Sequence, residues 1–314
     1  MLFLWQSFTL QRATLTKKGC NMKNTIFTGA GVAIITPMLA DGAINFPLLG
    51  QIIDEQIAGG TDAIIICGTT GESATMSDEE HIECIRFAVE HTNKRVPVIA
   101  GTGSNDTSYA LYLSQEAEKL GADALLLVTP YYNKTSQRGL IAHFTTIADG
   151  VNIPIILYNV PSRTGCGITI DTYKQLAKHP NIVAAKEACG DISFVAKLAA
   201  ETDLDIYSGN DDQIVPIMSL GGKGVISVFS NICPKECHEI AMSAYNGDYK
   251  TAAELQLKYL KVINNLFCDV NPIPVKEAMN LMGKNVGECR LPLVKMEESK
   301  INLLKDSMKE VGII

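Results

Sequence analysis

The chain has no excess of basic residues: its 314 residues hold 27 Lys and Arg against 34 Asp and Glu, a formal net charge of −7. A nucleic-acid footprint needs clustered cations on a basic surface, so this balance argues against one and favours small-molecule partners. No stretch is long and apolar enough to suggest a membrane span. The apolar start, Met1 to Trp5, is too short, and Lys17 and Lys18 follow it instead of preceding it, unlike a secretory signal. Residues 1–21 are set aside as a leader or expression remnant expected to be disordered, with Met22 a more natural start. The five histidines, His81, His91, His143, His179 and His238, show no ligand spacing. Cys233 and Cys237 flank Pro-Lys-Glu, but no His or Cys pair follows at zinc-ligand distance, so they read as structural and no metal is expected. Nine cysteines, an odd number set mostly in apolar or helical patterns, read as reduced thiols in a cytoplasmic protein and not as a disulfide scaffold. Gly101-Thr102-Gly103-Ser104-Asn105-Asp106 lacks the third glycine of a dinucleotide fingerprint.

What is present is a regular series of short apolar runs: Val32–Pro37, Ala63–Gly68, Val96–Gly101, Ala124–Pro130, Ile153–Pro161, Ile182–Ala188, Asp205–Gly209 and Gly224–Val228. Such near-continuous runs read as parallel strands buried on both faces. Helical periods separate them, such as the stripe Leu48, Leu49, Ile52, Ile53, Ile57 and a second that follows the Ser77 cap with Glu80 three residues on. Eight units, with no phosphate loop after the first strand, favour an α/β fold of the (β/α)8 TIM-barrel type over an open doubly wound sheet. The barrel is expected over 22–233. Beyond Pro234 the pattern turns helical, and a C-terminal helical appendage of three helices is expected over 234–314.

In a barrel the chemistry comes from the C-terminal strand ends. The sixth run places Lys186 among small apolar residues, where desolvation would lower its pKa and free a nucleophilic amine, as Schiff-base chemistry requires. The fifth run ends in Tyr158 and leads into Ser162-Arg163-Thr164-Gly165, bringing a phenol and a guanidinium to a neighbouring strand end. Each residue also has a plain structural reading. Lys186 alone could be a strand-end lysine reaching solvent, Tyr158 a core aromatic, Thr69-Thr70 a turn, Tyr131 a packing residue, and Arg163 a partner of Glu187. Asp211 and Asp212 are expected to cap the next helix.

Taken together, Gly68-Thr69-Thr70-Gly71-Glu72-Ser73, Tyr131-Tyr132-Asn133, Tyr158 through Gly165 and Lys186-Glu187-Ala188 resemble, in colinear order over about residues 25–314, the dihydrodipicolinate synthase family of pyruvate-dependent class I aldolases. The resemblance implies a cytoplasmic Schiff-base lyase that condenses pyruvate with L-aspartate 4-semialdehyde to 4-hydroxy-tetrahydrodipicolinate in lysine (diaminopimelate) biosynthesis. It implies no cofactor beyond the covalent imine with pyruvate. By position it makes Lys186 the imine-forming amine and Tyr158 the proton donor and acceptor. Thr70 and Tyr132 would complete a relay, Tyr132 from a neighbouring subunit of a homotetramer built as a dimer of dimers. Thr69 and Thr70 would hold the pyruvate carboxylate, Arg163 the carboxylate of the semialdehyde, and Gly209 and Ile226 match positions whose backbone lines the pyruvate pocket. Ser73, Ala74, His81, Asn105 and Tyr131 match parts of a lysine-binding allosteric site. Asp78 and Tyr109 depart from the pattern of lysine-sensitive relatives, so feedback is expected to be weak or absent. Two alternatives stay open: a sister aldolase acting on N-acetylneuraminate or a 2-keto-3-deoxy sugar acid, which the presence of Arg163 disfavours, and a catalytically silent barrel with a binding role.

Overall fold

The computed structural model describes residues 23–314; the expected leader lies outside them. Eight parallel strands close into a barrel in chain order: β1 (Gly29–Ala33), β2 (Ala63–Ile66), β3 (Val98–Gly101), β4 (Ala124–Val128), β5 (Ile155–Asn159), β6 (Ile182–Glu187), β7 (Asp205–Ser208) and β8 (Gly224–Ser227), which returns to β1. Successive side chains on a strand face opposite ways, so each apolar run is divided between two layers. Ile65, Ile99, Leu126, Ile156 and Ile226 fill the barrel interior, whereas Ile64, Ile66, Leu125, Leu127 and Val225 face the helices outside. This division is why the strand sequences show no polar alternation.

At the N-terminal end Phe27 stacks on Tyr207 with ring centroids 4.3 Å apart, and the Tyr207 hydroxyl donates to the Phe27 carbonyl at 2.7 Å. The barrel is packed there and opens at the other end. The Ser77–Glu80 capping box forms as expected and starts the helix Asp78–Thr92. No helix among the described residues is long and apolar enough to cross a membrane.

Three expectations shift. The first strand starts earlier and ends at Ala33: beyond it Ile35 donates to the side chain of Asn231 and Met38 to the carbonyl of Val286, so the chain leaves the sheet before Pro37. After β8 the structure has four helices, Pro234–Tyr245, Tyr249–Asn265, Ile273–Leu281 and Glu298–Glu310. The first packs on β1 and β8 and is the outer helix of the eighth unit, beyond the expected boundary at 233. The other three form the additional layer. Asp211 caps no helix: it is buried, and its Oδ2 accepts from the backbone of Val228 and Phe229 at 3.1 and 3.0 Å.

Candidate active site

A cavity of about 790 Å³ opens at the C-terminal ends of the strands. Its walls come from the turn after β2, the ends of β4 to β7, Val228 beyond β8, and the segment Phe267–Asn271 of the C-terminal layer. Backbone approach here demands glycine at position 209, where an added Cβ would stand 2.8 Å from the Ala188 Cβ and 2.9 Å from the Glu187 carbonyl oxygen.

Lys186 lies on β6 with 6% of its surface exposed, and it lines this cavity. Parallel pairing sets it directly across from Tyr158 on β5, and its Nζ stands 4.2 Å from the centre of the tyrosine ring. Among the described residues that amine is acted on by burial and by the charges of Asp211 and Arg163, with no hydrogen bond among these influences. Burial lowers its pKa to about 7; the carboxylate of Asp211 opposes the shift and the cation of Arg163 assists it. The uncharged amine is therefore accessible near neutrality. Burial pushes the Tyr158 phenol upward, while Arg163 and a hydrogen bond with Thr69 pull it back.

Arg163 follows β5 in the short helical turn Pro161–Thr164 and extends over the cavity mouth. Its Nη2 makes one long contact, 3.4 Å, to the carbonyl of Asn271, leaving most of the guanidinium free for a bidentate anion. The two threonines of the β2 turn part company. Thr69 is the one beside the Tyr158 hydroxyl. Thr70, which the resemblance put into the relay, is buried with its hydroxyl accepting from the Asn271 side chain at 3.0 Å. Both threonines line the cavity, and the sequence does not say which of them meets the phenol.

Tyr132 is not brought to Tyr158 within the chain: it is 92% exposed and holds a left-handed backbone, φ +67°. That conformation is costly for a bulky residue. The Ile226 side chain belongs to the barrel interior below the cavity. Of the residues matched to an allosteric site, Ser73, Ala74, His81 and Tyr131 line the outer part of this cavity, but Asn105 does not. His81 is occupied by a contact of 2.9 Å between its Nε2 and the Gly101 carbonyl, and burial lowers its pKa. The Tyr109 hydroxyl donates to Asp78 at 2.7 Å, so the two departures from the sensitive pattern satisfy each other.

Sequence reasoning missed Asn271, which sits in the cavity wall, and the role of Asp211. A Gly-x-Asp at a strand end was the available signal for Asp211; Asn271 lies 201 residues from Thr70 and gave none.

Comparison with known proteins adds the chemistry that relatives perform. The model of the dihydrodipicolinate synthetase family matches residues 26–311. A 4-hydroxy-tetrahydrodipicolinate synthase of Lachnoclostridium phytofermentans is 61% identical over 92% of this chain and 99% of its own length. That of Caldicellulosiruptor saccharolyticus is 57% identical over 92% and 98%. Among solved structures, the dihydrodipicolinate synthase of Aquifex aeolicus is 43% identical with a TM-score of 0.90, covering 91% of this chain and 99% of that one. A monomeric dihydrodipicolinate synthase variant is 39% identical at the same TM-score, covering 92% and 98%.

Proposed function

Because the chain belongs to the dihydrodipicolinate synthetase family, we propose that it is a Schiff-base lyase condensing pyruvate with L-aspartate 4-semialdehyde to 4-hydroxy-tetrahydrodipicolinate in lysine biosynthesis. The observation that carries this reading is the buried amine of Lys186, its pKa brought to about 7, beside a phenol and an open guanidinium.

The uncharged Lys186 attacks the pyruvate ketone, and loss of water leaves an iminium. The iminium withdraws electrons from the methyl group, a proton leaves it, and the resulting enamine carbon attacks the semialdehyde carbonyl. The new alkoxide takes up a proton. The α-amino group of the former semialdehyde then displaces Lys186 from the imine carbon, closing a ring and returning the free amine.

Each proton needs a group within hydrogen-bond reach, and the hydrogen bond with Thr69 that pulls the pKa of the Tyr158 phenol back supports assigning that role to this pair. Arg163 holds the carboxylate of the second substrate at the mouth. Tyr132 enters this scheme only from another subunit, and its exposed, strained conformation supports an assembly in which a neighbouring chain receives it. No cofactor is required, since the iminium itself is the electron sink.

Incubation with pyruvate and borohydride, followed by peptide mass analysis, is expected to find the reduced adduct on Lys186. An unmodified Lys186 in a folded, pyruvate-saturated sample would end the proposal. Semialdehyde-dependent consumption of pyruvate checks the second substrate.

A further inference from the structure

The turn that presents Thr69 and Thr70 to the cavity is held from outside the barrel. Glu72, four residues past the start of that turn at Gly68, adopts a left-handed backbone with φ +59°, as Cys67 does at its other end with φ +56°. Non-glycine residues keep such conformations only where the surroundings over-determine them. For Glu72 the surroundings are the C-terminal layer. Its Oε1 accepts from Lys276 Nζ at 2.8 Å and its Oε2 from the backbone of Arg290 at 2.9 Å, while Lys276 also donates to the Glu288 carbonyl at 2.7 Å. The two side chains are 1% and 2% exposed. In the same layer Asn271 donates to Thr70 and accepts from Arg163.

We infer that Glu72 and Lys276 are positioning residues for the pyruvate subsite: their buried ion pair fixes the 68–72 turn, and with it the Thr69 hydroxyl and the backbone N–H groups that meet the substrate carboxylate. This rests on the proposed function. Stability alone does not account for the pair, because two apolar side chains of similar volume commonly hold a protein together as well as a buried ion pair does. What the ion pair adds is direction: the carboxylate is reached by one side-chain donor and one backbone donor from a segment more than 200 residues away, so the turn has a single seat. Substrate-holding groups displaced by about 1 Å lose on the order of a hundredfold in rate.

The test uses the full chain carrying Glu72→Gln, Lys276→Met, and both together. Each single change leaves one buried partner unmatched, whereas the double variant is neutral and is expected to regain most of the lost melting temperature. Its pyruvate KM is nevertheless expected to stay raised by about tenfold or more, with semialdehyde KM changed by less than about twofold. The pH midpoint of borohydride trapping is expected to remain about 7, because the amine's own surroundings are untouched. A folded double variant with parental pyruvate KM overturns the inference. Should that variant not fold, Lys276→Arg decides: it keeps the charge and alters its reach, so a pyruvate KM raised about threefold or more supports the inference and a parental value overturns it. Failure of the parental protein to form any pyruvate adduct would instead defeat the proposed function itself.

Discussion

Among the described residues two lysines are buried, and they are buried for opposite ends. Lys276 meets the carboxylate of Glu72 and a carbonyl, so its site compensates the charge it takes out of water. Lys186 has a ring face and is buried; the carboxylate of Asp211 only partly offsets the cost of burying its charge and the Arg163 guanidinium adds to that cost, so the free amine is favoured. The same side chain is a structural tie in one place and a nucleophile in the other. What separates them is the acceptors supplied by chain segments far away in sequence.

The largest expected effect is on turnover. Lys186→Ala removes the only group proposed to bond covalently to pyruvate, and the rate is expected to fall by about 10⁴-fold or more, while Lys276→Met, if folded, keeps measurable turnover. Initial rates of pyruvate consumption check this, and parental activity in Lys186→Ala would abolish the distinction between the two sites.

Stability is expected to move in opposite directions. Lys276→Met strands a buried carboxylate and is expected to cost about 3–5 kcal/mol. Lys186→Met removes a group the fold disfavours in its charged form and is expected to gain a few kcal/mol at pH 7, on the order of what the fall of its pKa from 10.5 to about 7 implies. Between those two pH values the unfolded chain carries a proton on this lysine that the native chain lacks, so native stability rises with pH across the window. The advantage of Lys186→Met is therefore full at pH 7 and below and fades as pH approaches 10.5. Urea midpoints at pH 7 and 10 measure both claims, and a destabilised Lys186→Met at pH 7 would contradict the assigned desolvation.

Finer contrasts follow. Thr69→Val is expected to lower kcat by about tenfold to a hundredfold, and Thr70→Val by less, because a Thr69 hydrogen bond helps to lower the Tyr158 phenol's pKa whereas the Thr70 hydroxyl is engaged by Asn271. The reverse order would reinstate Thr70 in the relay. The smallest effect concerns lysine as an inhibitor: with Tyr109 and Asp78 satisfying each other and His81 engaged, inhibition is expected to be absent below about 1 mM. A titration of initial rate against lysine would show otherwise at once.

The strand count, the parallel arrangement and the cluster of Lys186, Tyr158 and Arg163 were all legible because they rest on local pattern. A strand buried on both faces must be apolar throughout, and register then carries Tyr158 to Lys186. The error over Asp211 has a local origin too, since an acidic residue before a helical run is an ordinary capping signal. The structure assigns that carboxylate to the backbone of residues 228 and 229, just beyond the neighbouring strand β8. The C-terminal layer read as an appendage because its contacts leave no periodic trace. Asn271, Lys276 and Arg290 touch the β2 turn through side-chain and backbone donors that no spacing in the sequence announces.

The order of apolar and polar residues by itself determined an eight-unit barrel and which strand ends carry an amine, a phenol and a guanidinium, since hydrophobic burial follows side-chain identity and strand period. Only the tertiary structure decided which buried lysine is paired and which threonine faces the phenol. Those outcomes depend on distances of a few ångströms between segments up to about 200 residues apart, and electrostatic interactions in a low-dielectric interior change steeply over such distances.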